Sequence, residues 1–191
     1  MPEPVNGSDA PVVSSEDDML ILVDEDDNEI GTLDKGACHD GDGVLHRAFS
    51  IFVFNRSGEL LLQRRSAEKR LWGGYWSNSC CSHPRAGERL EEALHRRLEQ
   101  ELGIDTALHH LFTFRYHARF GDAGSEREVC SVWVGLHDGP VAPNPHEIDA
   151  WRWIAPEALD AEIAEDPGRF TPWFLEEWPR VRAAYRTSLG I

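Results

Sequence analysis

The sequence has 191 residues, 41% of them hydrophobic, which is enough to build the buried core of one domain. Its formal net charge of -15, from 34 acidic against 19 basic residues, disfavours nucleic acids and anionic membranes as partners. No segment approaches the roughly 20 apolar residues of a membrane span, and the N-terminus lacks the features of a signal peptide. We expect a soluble cytoplasmic protein that is a monomer or a weak homodimer.

The first predicted element is a disordered acidic tail over residues 1–18. This stretch is polar and contains several Pro, Ser and Gly residues, so it buries too little apolar area to offset the entropy lost on ordering. We therefore expect its removal to leave activity nearly unchanged. Residues 19–191 form the predicted single domain, which opens with a hairpin over residues 19–35. Two apolar strands follow, joined by a turn at residues 55–58.

The strongest helix prediction covers residues 87–103. Leucines recur there at every fourth position, and Gly103 is a typical C-terminal stop. Strands are then predicted near residues 111–118, 126–137 and 149–154, with helices near residues 155–165 and 172–187. Strands and helices that alternate without a regular βαβ period indicate an α+β fold, a mixed sheet flanked by helices.

Five potential metal ligands lie in three separate segments: His39, His46, His83, Glu126 and Glu128. A single histidine is more often a surface or hydrogen-bonded core residue than a ligand. Two glutamates two positions apart on a strand are typical of a solvated strand face. Three imidazoles and two carboxylates together nevertheless suit an octahedral divalent ion, and Mg²⁺, Mn²⁺ and Zn²⁺ are all compatible with them.

The four cysteines have no CxxC spacing and are expected to be free thiols in a reducing compartment. Most free cysteines are small buried hydrophobic residues, and this is the alternative for Cys81. The neighbouring His83 and a metal would stabilise a thiolate, which makes Cys81 a candidate acid-base group. If Cys80 and Cys81 lie on a strand, they point to opposite faces, and Cys81 shares its face with His83.

Basic residues that could bind an anionic substrate are few in this acidic chain. The candidates are Lys35, Arg65, Lys69 and Arg97, and they include the only two lysines. A diphosphate suits this combination of forked guanidinium and point-charge ammonium groups. The alternative is ordinary surface ion pairing with the many acidic side chains.

Eight stretches of the sequence resemble, in order, the type I isopentenyl-diphosphate isomerases, which have a Nudix-like fold. These stretches are GTLDKGACH, LHRAFS, LLLQRR, WGGYWSNSCCSHP, GERLEEALHRRLEQELG, FRYHA, EREVC and TPW. The resemblance runs from about Met19 to Trp173 and beyond. It implies an enzyme that isomerises isopentenyl diphosphate to dimethylallyl diphosphate by protonation and deprotonation, and therefore a small-molecule diphosphate as the partner.

The resemblance also implies roles for individual residues. The implied metal site, for Mn²⁺, Mg²⁺ or Zn²⁺, consists of His39, His46, His83, Glu126 and Glu128. The implied diphosphate contacts are Lys35, Arg65, Lys69 and Arg97. Cys81 and Glu128 would be the proton-handling pair, and Tyr116 and Trp173 would be the aromatic residues of the active site. Glu101, with the main-chain carbonyl of Cys81, would hold a second Mg²⁺ on the diphosphate.

One departure from the wider Nudix superfamily bears on the reaction. The hydrolases of that superfamily carry the pattern R-E-U-x-E-E-x-G-U, whose glutamates bind the Mg²⁺ ions that activate water. The matching run here is RRLEQELGI over residues 96–104, with Arg97 and Gln100 at two glutamate positions. Hydrolysis is therefore disfavoured. A Nudix-type diphosphohydrolase is the second hypothesis, and a non-catalytic module with a structural metal is the third.

Overall fold

The computed structural model of the protein describes residues 3–4 and 9–191. Within them the strands are β1 Glu3–Pro4, β2 Met19–Val23, β3 Glu29–Asp34, β4 His46–Phe54, β5 Leu60–Arg65, β6 Trp76–Ser77, β7 Cys80–Ser82, β8 Leu108–Phe120, β9 Gly124–Leu136 and β10 Ile148–Ile154. The helices are α1 Lys35–His39, α2 Leu90–Leu102, α3 Pro156–Glu165 and α4 Pro172–Leu189, with a short 3-10 helix at Pro167–Arg169. No helix among the described residues has the length and apolar character to cross a membrane.

The strands form one mixed sheet around β4. This strand pairs in parallel with β9 and antiparallel with β2, β5 and β7. Strand β8 pairs antiparallel with β9, and β10 pairs antiparallel with β5. The mixed sheet and its flanking helices confirm the predicted α+β fold class.

Strand β4 is buried on both faces from Ala48 to Phe54, and six of these seven residues are hydrophobic, as is typical of a central strand. On one face Phe49 packs with Leu94 and Leu98 of α2. On the other face the ring of Phe52 stacks at 5.9 Å on the ring of Phe174 from α4. The sheet therefore separates two core clusters, one on the side of α2 and one on the side of α4.

Helix α2 is confirmed, but it begins at Leu90 and not at residue 87. Arg89 is the N-cap, and the side chain of Glu92 accepts a hydrogen bond from the Arg89 backbone N–H at 3.4 Å. Gly87 lies before the helix at φ +77°, a left-handed conformation that interrupts helical geometry. Gly103 ends the helix at φ 64°, as the sequence predicts.

The predicted tail lies partly outside the described residues, namely at residues 1–2 and 5–8. Its remaining part contacts the domain. Strand β1 pairs with Trp151 and Ala150 of β10, and the Pro11 carbonyl accepts a hydrogen bond from Asn144 Nδ2 at 2.8 Å. The backbone N–H of Lys35 donates to the carbonyl of Asp18 at 2.9 Å. These polar contacts hold residues 11–18 against the domain without requiring an apolar sequence.

Candidate active site

Three histidines and two glutamates that are distant in sequence meet at one end of the sheet. They come from the end of α1, the start of β4, the residue after β7, and β9: His39, His46, His83, Glu126 and Glu128. Ligand atoms of His39, His46, His83 and Glu126 all lie within 4.8 Å of one another. Glu128 completes the set, because its Oε1 lies 2.8 Å from His83 Nε2 and 3.5 Å from His46 Nε2.

Several buried atoms of this cluster form no well-directed hydrogen bond among the described residues. They are the Nε2 atoms of His39 and His46 and the Oε2 atom of Glu126, and His39 Nε2 and Glu126 Oε2 face each other at 3.0 Å. His46 Nδ1–H donates to the carbonyl of Val44 at 2.7 Å, so the lone pair of Nε2 points into the cluster. Unpaired buried polar atoms cost about 1–3 kcal/mol each, and a metal-bound histidine usually donates its other ring N–H in this way. The donor set therefore fits a divalent metal ion.

The candidate proton-handling groups line a cavity beside the His/Glu cluster. Tyr116 and Glu128 are direct partners across β8 and β9, and Tyr116 Oη donates to Glu128 Oε2 at 2.5 Å. Cys81 on β7 lines the same cavity, with Arg65 Nη1 at 3.4 Å from its sulfur. Trp173 of α4 closes one side. Its ring centre lies 6.0 Å from that of Tyr116 and 5.2 Å from Arg65 Cζ.

Burial favours the neutral forms of Cys81 and Tyr116 in this cavity. It raises the pKa of the Cys81 thiol to about 12, although the charge of Arg65 acts in the opposite direction. Burial and the charge of Glu128 raise the pKa of Tyr116 well above its ordinary value. Ionising either group therefore requires additional positive charge, and the adjacent His and Glu ligands are placed to hold it as a metal ion.

The four predicted basic residues all line this cavity: Lys35, Arg65, Lys69 and Arg97. Arg97 is only 3% exposed and donates to Glu101 Oε1 from Nη2 at 2.5 Å and from Nε at 3.0 Å. Its Nη2 also lies 3.1 Å from Glu147 Oε2, and the same carboxylate pairs with the ammonium of Lys69. Burial and the charge of Lys69 lower the pKa of Lys35.

Sequence reasoning missed two parts of this cavity. Glu147 lines it from the loop before β10, where no periodicity or motif marked an acidic residue as unusual. The N-terminal segment also contributes, because Val13 O accepts a hydrogen bond from Arg97 Nη1 at 3.0 Å. Next to it, Ser14 Oγ donates to Glu147 Oε1 at 2.6 Å, and Glu16 is part of the cavity lining.

The sequence matches one domain family and is similar to proteins that share one name. The NUDIX domain model matches residues 44–174. Isopentenyl-diphosphate Delta-isomerase 2 of Aromatoleum aromaticum is 45% identical over 165 residues, which cover 86% of this chain and 87% of that protein. The isopentenyl-diphosphate Delta-isomerase of Burkholderia multivorans is 47% identical over 158 residues, covering 83% and 89%.

Solved structures agree on the fold. The crystal structure of DR0079 from Deinococcus radiodurans is 27% identical, with a TM-score of 0.64, and the match covers 78% of this chain and 90% of that one. The MutT protein from Methanosarcina mazei is 18% identical with a TM-score of 0.61, covering 74% and 96%, and shows the fold alone. The domain match and the curated relatives show that the chain belongs to the isopentenyl-diphosphate Delta-isomerase family of NUDIX domain proteins.

Proposed function

We propose that the protein isomerises isopentenyl diphosphate to dimethylallyl diphosphate. The reaction adds a proton at C4 and removes one from C2, so it needs two proton-handling groups and a site for the diphosphate. The observation that carries the proposal is one cavity that contains Cys81, the hydrogen-bonded Tyr116–Glu128 pair and four cationic side chains. Cys81 and Glu128 exchange the two protons with the substrate.

The aromatic residues of the cavity suit the charge that develops on the substrate. Protonation of the alkene produces a tertiary carbocation-like state, and the face of an aromatic ring attracts a cation. Trp173 is 2% exposed, and its indole N–H donates to Ser77 Oγ at 3.1 Å, which fixes the ring beside the cavity. Tyr116 orients the Glu128 carboxylate through its 2.5 Å hydrogen bond.

Two metal sites belong to this proposal. His39, His46, His83, Glu126 and Glu128 would hold Mn²⁺, Mg²⁺ or Zn²⁺, and such an ion strengthens the acidity of neighbouring groups. Glu101 and the main-chain carbonyl of Cys81 would hold Mg²⁺ on the diphosphate. Glu101 is 3% exposed and lines the cavity, which supports this placement.

We also propose that the protein works in the cytoplasm as a monomer or weak homodimer, without nucleic acid or membrane partners. Support comes from the net charge of -15, which repels anionic polymers and lipid surfaces. The four cysteines are free thiols, and this is compatible with a reducing compartment.

Incubation of the purified protein with isopentenyl diphosphate and Mg²⁺ tests the reaction. We expect an acid-labile allylic product and no inorganic phosphate or pyrophosphate. Release of phosphate without the allylic product would replace the isomerase with the alternative, a Nudix-type diphosphohydrolase. That alternative is disfavoured because Arg97 stands at a position where the hydrolases carry a metal-binding glutamate, and it forms an ion pair with Glu101.

Lys69→Ala is expected to raise KM for isopentenyl diphosphate about tenfold and to change kcat less than about threefold. The diphosphate does not change chemically in the reaction, so its contacts stabilise substrate and transition state alike. Steady-state kinetics measure the effect. Arg64→Ala is the matched control, because Arg64 neighbours Arg65 on β5 but lies over the ring of Trp76, 5.9 Å from its centre. A fall in kcat at unchanged KM would contradict the assignment of Lys69.

Deletion of residues 1–18 is now expected to raise KM severalfold, in contrast to the expectation from composition. The segment makes two contacts at the diphosphate end of the cavity. The Val13 carbonyl accepts a hydrogen bond from Arg97, and the Ser14 hydroxyl donates one to Glu147. Deletion of residues 1–8 alone is the control and should leave KM close to that of the full chain. Equal kinetics for both truncations would mean that residues 9–18 do not contribute to binding.

A further inference from the structure

Glu147 lies at the centre of the charged end of the cavity. Its side chain is 3% exposed. Its Oε2 accepts from Lys69 Nζ and, at 3.1 Å, from Arg97 Nη2, and its Oε1 accepts from Ser14 Oγ at 2.6 Å. Two of the cations assigned to the diphosphate therefore share one protein carboxylate. A third contact ties that carboxylate to the N-terminal segment.

We propose that Glu147 is a positioning residue of the diphosphate site, whose carboxylate holds the Lys69 ammonium and the Arg97 guanidinium in place for the substrate. The inference rests on the proposed function, because that function assigns Lys69 and Arg97 to the diphosphate. A lysine has a flexible four-carbon stem, so its charge occupies one place only when a partner fixes it. Glu147 is the partner that Lys69 and Arg97 have in common.

The backbone around Glu147 is built to keep this carboxylate in place. The N–H groups of Glu147 and Ile148 both donate to the carbonyl of Asn144, at 3.0 and 2.9 Å. Asn144 is itself tied to the end of α2, because its N–H donates to the carbonyl of Glu101 at 2.8 Å. The turn is thereby fixed to the helix that carries Arg97. The backbone segments that carry Arg97 and Glu147 are consequently held together, which favours the contact between their side chains.

A simpler explanation is that Glu147 only balances charge. Burial raises the pKa of Glu147, but the charges of Lys69 and Arg97 lower it to about 2, so the group is a carboxylate at neutral pH. A fixed negative charge in the same cavity repels a diphosphate. If charge balance were its only role, neutralising Glu147 would strengthen substrate binding. If it positions the cations, neutralising it weakens binding. The sign of the effect separates the two explanations.

The test compares Glu147→Gln, Glu147→Asp and the control Glu68→Gln in the full chain. Glu68 lies near the same loop, 3.6 Å from His146, but its side chain is 74% exposed, and Lys69 and Arg97 form their ion pairs with Glu147 and Glu101 instead. We expect KM for isopentenyl diphosphate and Kd for inorganic pyrophosphate to rise roughly tenfold in both Glu147 variants, with kcat within about twofold of wild type. Asp keeps the charge but is one methylene too short to reach both cations. Glu68→Gln should match wild type.

Several results would overturn the proposal. Tighter pyrophosphate binding by Glu147→Gln together with wild-type behaviour of Glu147→Asp would make Glu147 a counter-ion only. A loss of kcat at unchanged KM would place its effect in the chemical step. If Glu147→Gln does not fold, Glu147→Asp still decides the question, since it retains the charge that balances Arg97.

Lys69→Ala, measured in parallel, separates this inference from the proposed function. If Lys69→Ala does not weaken pyrophosphate binding, the diphosphate site itself is misassigned. If Lys69→Ala weakens binding while both Glu147 variants bind as wild type does, the site assignment stands and only the role of Glu147 is refuted.

Discussion

Cys81→Ala is expected to lower kcat by about 100-fold or more, because the variant lacks one of the two groups that exchange protons with the substrate. Cys81 lines the cavity beside Arg65. The adjacent thiol, Cys80, is fully buried on the other face of the sheet, in the core cluster that contains Phe49 and Leu94. Cys80→Ala should therefore keep turnover close to wild type and lower the free energy of unfolding by about 1 kcal/mol.

Steady-state kinetics and thermal unfolding of the two variants measure this difference. Alkylation gives an independent measurement, because an allylic epoxide analogue of the substrate should label Cys81 and leave Cys80 unmodified. Loss of turnover in Cys80→Ala with retention in Cys81→Ala would refute the assignment. The register of β7, which places Cys81 opposite Ser50, would then be wrong, and the position of His83 would have to be revised with it.

The orientation of Cys81 was predictable because side chains alternate along a strand. In an extended segment, Cys80 and Cys81 must point to opposite faces, and His83, two positions after Cys81, must point to the same face as Cys81. The structure confirms this geometry, with Cys80 in the core cluster on the side of α2 and Cys81 packed against the cluster on the side of α4. The alternation of side chains along a strand was sufficient for this prediction, since both faces of the sheet are covered.

The five residues of the candidate metal site could be proposed from the sequence through their residue types and the family resemblance. Imidazoles and carboxylates are the groups that divalent ions select, and the order of motifs placed them in one site. Their meeting point depends on the parallel pairing of β4 with β9, which sets His46 beside Glu128. A parallel pair joins strands that are far apart in sequence, so no local pattern specifies it.

The role of Glu147 and the contacts of the N-terminal segment could not be predicted in the same way. Both depend on polar contacts over long sequence separations, such as Ser14 with Glu147 and Val13 with Arg97. Hydrophobic periodicity does not register such contacts. A prediction of disorder from composition considers only the apolar area that a segment can bury. Backbone carbonyls, however, can accept hydrogen bonds from buried cations whatever the sequence of the segment.

Removal of metal by a chelator is expected to abolish turnover and to lower the melting temperature by about 5–10 °C. An ion present at about 100 times its Kd stabilises the folded state by about 2.7 kcal/mol, and each kcal/mol corresponds to about 2–4 °C for a domain of this length. The physical reason is the burial of His39, His46 and Glu126, whose ligand atoms converge without a well-directed hydrogen bond among the described residues. Without an ion only contacts within the cluster, such as that of His39 Nε2 with Glu126 Oε2 at 3.0 Å, offset the solvation that these atoms lose on burial.

Adding Mn²⁺ to the metal-free protein should restore both turnover and melting temperature. His46→Gln provides the test at the site, since its side chain is 0% exposed and its Nε2 faces the cluster. That variant should respond weakly to Mn²⁺. The control is His110→Gln, because His110 is exposed on β8 and its Nε2 lies 3.1 Å from Thr113 Oγ1, away from the cluster. This variant should respond as wild type does.

Full turnover by the metal-free protein would refute the five-ligand assignment. An equal Mn²⁺ response in both variants would place the functional ion elsewhere.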